Sequence, residues 1–337
     1  MLFLQTGNEV PFVDSSNKNY LRFILNKMKI ATLTLNPALD KNTWVEKLQP
    51  EKKLRCEKPE YEAGGGGLNV SRAISILGGK SIAIYAAGGA TGDNLDLLLD
   101  SNGIEEHRIR INKETRVNLL VTERSTGNQY RFGMPGDELT EDEIQQCIDE
   151  VRRLPGGIEY LVASGSIPPN APFDLYADIS RIAREKNIKF ILDSSGKAFE
   201  KAAETGLFLI KPNLREMSQL AGKEHISGLE QEEIAHKLIY EGKTEIVVLS
   251  LGPRGAMMVT SDFTEYVVPP TVKPTSTVGA GDSMVAGIIL SLTRGEDLKT
   301  ALKWGVSAGT AATMTSGSEL CRREDAERIF EWLGKNS

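Results

Sequence analysis

Thr277-Val278-Gly279-Ala280-Gly281-Asp282-Ser283 runs without a break into the apolar stretch Met284-Val285-Ala286-Gly287-Ile288-Ile289-Leu290. Small residues let the backbone turn tightly and bring its N–H groups close to a ligand. The helix predicted to follow has unpaired N–H groups and the positive end of its dipole at the first turn. That combination holds anions, most naturally phosphate. Asp282 is the discordant member, because a carboxylate repels a phosphate. General-base chemistry would account for it, the carboxylate taking a proton from a hydroxyl as that oxygen attacks a phosphoryl group. The plain alternative is a glycine-rich turn whose Asp caps a helix.

A second glycine-rich stretch, Gly64-Gly65-Gly66-Gly67-Leu68-Asn69-Val70-Ser71-Arg72-Ala73, precedes a helical run from Leu68 to Leu77 that Gly78-Gly79 stops. It does not fit a dinucleotide fingerprint, which needs spaced glycines directly after a strand and an acidic residue about twenty further on. Here a solid glycine run follows a charged segment.

Between and beyond these stretches, strands and helices alternate. Ile30 to Leu35 reads as a strand ending at Asn36-Pro37, with Asp40 just past its end. Thr140 with Glu143 makes a capping box, and Ile144, Cys147, Ile148 and Val151 form a helical stripe that makes Cys147 a core residue. Strands are predicted at 160–163, 188–193, 207–210 and 245–249, with helices near 172–186, 214–221 and 230–241 between them. That spacing means an α/β fold with a doubly wound, mostly parallel sheet covered on both faces. The strands end at Ser164, Asp193, Asn213 and Ser250, which should share one sheet edge with Asp40 and Asp282. Segments 41–63 and 106–133 differ in texture. They are charged, alternate polar with apolar, and read as half-exposed antiparallel strands.

With 337 residues the chain can build one large α/β domain with an appendage, or two domains. A net charge of −6 argues against nucleic acid and anionic membranes as partners, so a phosphate site must be made locally. No apolar run approaches bilayer length. Cys56, Cys147 and Cys321 are far apart and odd in number, which gives neither a metal spacing nor a disulfide framework and suits a reducing cytoplasm. Residues 1–27 are too interrupted by charge for a secretory signal, and Met28 opens the first strand pattern. They are expected to be a leader without catalytic role, with the domain spanning 28–337.

Thr277 to Ser283 and Gly64 to Ala73 resemble the C-terminal and N-terminal signatures of the ribokinase-like (PfkB) carbohydrate kinases, far apart and in the family's order. The resemblance runs from about Lys29 to Leu333 and is nearest to members acting on fructose 6-phosphate. It implies phosphorylation of that sugar's 1-hydroxyl by ATP with Mg²⁺. It also makes 41–63 and 106–133 a β-sheet lid through which two copies pair. Asp282 would be the base, with the amides of Gly279, Ala280 and Gly281 stabilising the transferred group. Asp40, Gly64, Gly65, Asn69, Ser166 and Arg116 would hold the sugar phosphate, and Arg55 would reach across the dimer. For ATP the resemblance implies Asn213, Arg215, Ser250, Gly252, Gly255 and Thr277, with apolar residues near 302–317 around the adenine. Lys53 would contact a second, inhibitory ATP.

Asn213 and Glu216 match the family's metal motif, acting partly through water, although Asn three before Glu at a helix start is also an ordinary capping box. Ser276 and Val278 would lend carbonyls to a K⁺ site. The facing stretch, Thr315 to Glu319, departs from the nearest relatives, which are basic where Glu319 stands. Gly66 occupies the position where tagatose-6-phosphate and fructose-1-phosphate kinases typically carry Lys. Those kinases are the alternative reading, and a non-catalytic sugar-phosphate or nucleotide binder is a further one.

Overall fold

Period-two burial on both sides shapes the centre of the molecule. The structure is a computed structural model and describes residues 28–317 and 319–336. The expectation for residues 1–27 lies outside the described residues. The strands are β1 (Ile30–Thr34), β2 (Ala38–Val45), β3 (Glu60–Gly64), β4 (Ile82–Ala87), β5 (Glu105–Arg110), β6 (Arg116–Glu123), β7 (Gln129–Phe132), β8 (Tyr160–Ser164), β9 (Lys189–Asp193), β10 (Leu207–Ile210), β11 (Thr244–Ser250), β12 (Ala256–Val259) and β13 (Thr264–Val267). Nine of them form one sheet in the order β13-β12-β11-β10-β9-β8-β1-β4-β5. It is parallel from β11 to β5, with β12 and β13 antiparallel at one edge.

Alternate residues of the inner strands feed two different cores, as a sheet covered on both faces requires. Leu161 and Ala163 of β8 pack with Ile144, Cys147 and Ile179 on one face, while Tyr160 and Val162 pack with Val70, Ile74, Val285 and Ile289 on the other. Cys147 is fully buried, and its thiol is pushed up to about 12 by that burial, so it is a core residue as its helical spacing implied. The Glu141–Arg152 helix opens with the expected Thr140–Glu143 capping box.

The remaining strands form a second, four-stranded sheet in the order β3-β2-β6-β7. Two expectations need correction here. First, β2 and β6 pair in parallel, from Ala38↔Arg116 to Val45↔Glu123, and only β3 and β7 are antiparallel to their neighbours. A parallel pair needs a long crossover, and the connection from β2 to β6 supplies it by passing through β4 and β5 of the main sheet. Second, 105–110 pairs with β4 and belongs to the main sheet, so the second segment of the small sheet starts at Arg116. Asp40 therefore sits inside β2 of the small sheet, not at the end of β1. No helix among the described residues is long and apolar enough to cross a membrane.

Candidate active site

The loop before the Ala280–Thr293 helix turns at Gly279, whose φ of 70° lies in the left-handed region that a side chain disfavours. Ser283 N is bonded to Gly279 O at 2.8 Å, which leaves the preceding amides outside the helical ladder, as an anion site needs. Asp282 does not cap this helix, because no side chain does. Its Oδ2 accepts from Asn69 Nδ2 at 3.0 Å and its Oδ1 from Ser164 Oγ at 3.3 Å. Burial and the nearby Asp193 carboxylate push the Asp282 carboxyl up to about 6, against the opposing pull of Asn69, Lys211 and Ser164. A carboxylate so placed is a base matched to neutral pH.

Asn69 is itself oriented. Arg72, one turn on, donates Nη1 to Asn69 Oδ1 at 3.1 Å and to the Ala63 carbonyl at 2.8 Å. The glycine run before this helix is a close approach. A Cβ on Gly66 would lie 2.0 Å from Ser164 Oγ, in the space that the second donor to Asp282 occupies.

Lys211, at the end of β10, is a residue the sequence reasoning missed. It is buried, and its Nζ lies 3.4 Å from Asp193 Oδ2. Burial works against its charge, but Asp193, Asp282 and Glu216 together outweigh that and hold its pKa above the ordinary lysine range. A Cβ on Gly281 would stand 3.1 Å from the ammonium, so a positive charge lies directly under the anion loop. The one signal in the sequence is a lone lysine closing the apolar run Leu207-Phe208-Leu209-Ile210.

Asp282, Ser164, Ser166, Asp193, Glu216 and Gly66 line a cavity of about 520 Å³. The main-sheet part of the predicted edge is thus assembled as expected. Asn213 and Glu216 form a reciprocal capping box at 2.9 and 2.8 Å, and an isolated bridge joins Asn213 to Ser250. The capping interpretation of that pair is therefore correct as geometry, and Asn213 is already engaged by it. No cluster of three His, Cys, Asp or Glu that could hold a metal occurs among the described residues. Mg²⁺ usually keeps waters and phosphate oxygens and takes few protein ligands, so Glu216 and Asp193, which line one cavity, are compatible with it without such a cluster.

The small sheet brings Asp40 and the anion loop into reach. Asp40 Oδ1 accepts from Asn118 Nδ2 at 2.9 Å, and a Cβ on Gly64 would strike the Asp40 carboxyl at 2.4 Å. Burial, opposed by the Asn118 bond, lifts the Asp40 pKa. On β7, Gln129 and Arg131 share one face. Ser276 Oγ donates to Gln129 Oε1 at 3.2 Å, and Arg131 Nη2 donates to Thr277 Oγ1 at 3.2 Å. Ser276 Oγ also bonds the Gly317 carbonyl at 2.8 Å, bringing the two halves of the K⁺ expectation together. On the facing stretch, Glu319 is paired with Arg322 at 3.0 Å.

Other predicted residues are less simply placed. Arg116 donates to the carbonyls of Asn36, Pro37 and Met134, so its guanidinium ties the β1–β2 turn to the loop after β7. Ser166 Oγ accepts from Asn36 Nδ2 at 3.2 Å. Lys53 and Arg55 lie exposed on the β2–β3 loop, and Arg215 is exposed beside Glu216. Gly252 begins a short 3-10 turn after Ser250, and a Cβ on Gly255 would meet the Val267 carbonyl at 1.9 Å.

Comparison with known proteins places this geometry among sugar kinases. The family described as pfkB family carbohydrate kinase matches residues 34–325. The chain is 42% identical over 309 residues to the ATP-dependent 6-phosphofructokinase isozyme 2 of Escherichia coli, covering 91% of this chain and 100% of that one. It is 32% identical to the 1-phosphofructokinase of Borreliella burgdorferi, over 89% of this chain and 96% of that one. Two solved structures of phosphofructokinase-2 from Escherichia coli, each 42% identical over 91% of this chain and 99% of theirs, superpose closely. The potassium complex does so with a TM-score of 0.88, and the tetrameric inhibited form with 0.87.

Proposed function

The chain belongs to the pfkB family of carbohydrate kinases, and from that membership we propose that it is an ATP-dependent 6-phosphofructokinase, transferring the γ-phosphoryl group of ATP to the 1-hydroxyl of fructose 6-phosphate. One observation carries the mechanism. A buried carboxylate, fixed through both oxygens by Asn69 and Ser164, stands beside a buried ammonium at an open helix N-terminus.

Asp282 takes the proton of the attacking hydroxyl. The amides of Gly279, Ala280 and Gly281, with Lys211 beneath them, answer the negative charge on the group in flight. Asp40, held by Asn118, accepts from sugar hydroxyls, and Gly64 and Gly65 let the sugar approach the backbone. Ser166 contributes at the cavity wall. Arg116 meets the sugar phosphate by exchanging its three carbonyl partners for phosphate oxygens, which fit the guanidinium fork better. Arg215, Ser250, Gly252, Gly255 and Thr277 line the path of the nucleotide, with Asn213 holding Glu216 in place. Mg²⁺ bound near Glu216 and Asp193 would neutralise phosphate charge. Potassium fits the loop where Ser276 meets Gly317, with the Ser276 and Val278 carbonyls as ligands and the Glu319 charge already answered by Arg322.

The small sheet serves as the lid and as the surface on which two copies pair. Tyr61, Val117, Tyr130, Phe132 and Met134 are exposed on it or beside it, an apolar patch that pairing would cover. Pairing would also carry Lys53 and Arg55 toward the partner's site, in the cytoplasmic setting that unpaired cysteines favour. Gly66 supports fructose 6-phosphate over the alternatives, because a lysine there would have to displace the Ser164 hydroxyl.

The test is phosphoryl transfer from MgATP measured in parallel on fructose 6-phosphate, tagatose 6-phosphate and fructose 1-phosphate. The highest kcat/KM is expected for fructose 6-phosphate. A preference for either other sugar would reassign the substrate, and ATP turnover indifferent to all three would overturn the kinase reading.

A further inference from the structure

The loop after β7, Gly133-Met134-Pro135-Gly136, is fastened at three points to residues around the sugar site. Met134 N donates to Asn118 Oδ1 at 3.1 Å, and the Met134 carbonyl accepts from Arg116 Nη1 at 2.6 Å. The Pro135 carbonyl accepts from Asn36 Nδ2 at 3.0 Å. Asn36 stands just past the end of β1, half-buried, and reaches two further groups. Its main-chain carbonyl accepts from Arg116 Nη2 at 2.8 Å, and its Nδ2 also donates to Ser166 Oγ at 3.2 Å. One residue thus touches both side chains assigned to the wall of the sugar site and its phosphate.

The Pro135 carbonyl settles the polarity of the Ser166 contact. A carbonyl only accepts, so the amide nitrogen of Asn36 faces it, and that same nitrogen faces Ser166. Gly136, at φ 85°, lets the loop come this close, since a Cβ there would lie 2.4 Å from Asn36 Oδ1. A primary amide has two N–H bonds, and the contacts to Pro135 and Ser166 use both. The Ser166 hydroxyl is therefore an acceptor toward Asn36, and its own proton must point elsewhere. It meets no acceptor among the described residues, and Ser166 is exposed at the wall of the cavity that Asp282 also lines. A hydroxyl obliged to donate outward suits an anionic oxygen.

We propose that Asn36 is a positioning residue for the sugar phosphate, turning the Ser166 hydroxyl outward as a donor to a phosphate oxygen. The inference rests on the reading of Ser166 and Arg116 as groups that hold the sugar phosphate. Asn36 also keeps the loop in place during turnover. Once Arg116 trades the Met134 carbonyl for phosphate, the bonds from Asn36 to Pro135 and from Met134 to Asn118 still fasten it. Asn36 acts through Ser166 and takes no part in proton transfer, so its effect belongs to sugar binding and not to the phosphoryl step.

The experiment is steady-state kinetics of the full chain with MgATP and the sugar phosphate that the wild type prefers. It compares the wild type, Asn36→Ala, Ser166→Ala and the double variant. Asn36→Leu, closer in size, deletes the same donor and takes the place of Asn36→Ala should that variant not fold. Asn36→Ala should raise the KM for the sugar phosphate about tenfold, the scale of one hydrogen bond to a charged group, while kcat and the KM for ATP change less than about twofold. In the Ser166→Ala background the same substitution should add nothing, because the hydroxyl it orients is gone. An unchanged KM for the sugar phosphate in Asn36→Ala would overturn the proposal. So would an equal rise with and without the Ser166 hydroxyl, which would reduce Asn36 to a fastener of the 133–136 loop. A wild type that turns over no sugar phosphate would overturn the kinase reading and this inference together, whereas failure of the inference alone shows only in the variants.

Discussion

Asn69 donates its side-chain amide to Oδ2 of Asp282 at 3.0 Å, across 213 residues of chain. The two glycine-rich stretches that looked separate in sequence are the two halves of one hydrogen bond. Arg72 and Ser164 complete the arrangement, so the carboxylate keeps one orientation while its environment raises its pKa.

Asp282→Asn should lower kcat by roughly 10²–10⁴-fold, the usual worth of a general base. The fold should become more stable at neutral pH. The folded pKa of about 6 lies above the ordinary 3.8, so this group favours the folded state fully below the lower value and loses that contribution as pH rises through about 6. The substitution should recover roughly 1–3 kcal/mol of it. Turnover assays with thermal unfolding near neutral pH check both signs. Near-normal turnover would remove Asp282 from the base's role.

The acid limb of the wild-type kcat/KM profile should fall near pH 6. Asn69→Leu deletes a bond that lowers the Asp282 pKa, so in that variant the limb should shift to higher pH. A limb that stays in place would mean that another group titrates there.

Lys211→Met leaves Asp193 and Asp282 facing each other without the intervening ammonium. Breaking a buried ionic cluster typically costs about 3–5 kcal/mol. Turnover should also fall, because the charge under the anion loop is lost. Denaturant unfolding and kcat at fixed pH test this together. A stable variant with unchanged kcat would make Lys211 a bystander.

Gly66→Ala drives a methyl into the Ser164 hydroxyl, and overpacking of this kind costs about 1–3 kcal/mol. Activity should drop with stability. Adding Ser164→Gly should restore stability more than activity, since it frees the space but not the donor to Asp282.

Phe132→Glu places a charge on the exposed apolar face of the small sheet. Sedimentation should show a shift toward monomer with an unchanged fold. A variant as associated as the wild type would move the pairing surface elsewhere.

The alternation of buried strands and amphipathic helices was legible because both periods depend only on local geometry and burial, as at Leu161 to Ala163 and at Ile144, Cys147 and Val151. The anion loop was legible for the same reason, its glycines being demanded by backbone conformation at Gly279. Lys211 was not, because a lysine after an apolar strand is ordinary until three carboxylates surround it. The parallel pairing of β2 with β6 was not, because exposed alternation looks alike in either direction.

By itself, then, the sequence determined the doubly wound sheet, the edge that gathers its polar strand ends, and Asp282 as the candidate base. These rest on near-neighbour rules of backbone and burial. Tertiary structure alone decided what holds Asp282 and Asp40, where Arg116 sends its guanidinium, and that a buried ammonium lies beneath the phosphate loop. Those are contacts between residues far apart in the chain, and long-range electrostatics exists only once the chain has closed.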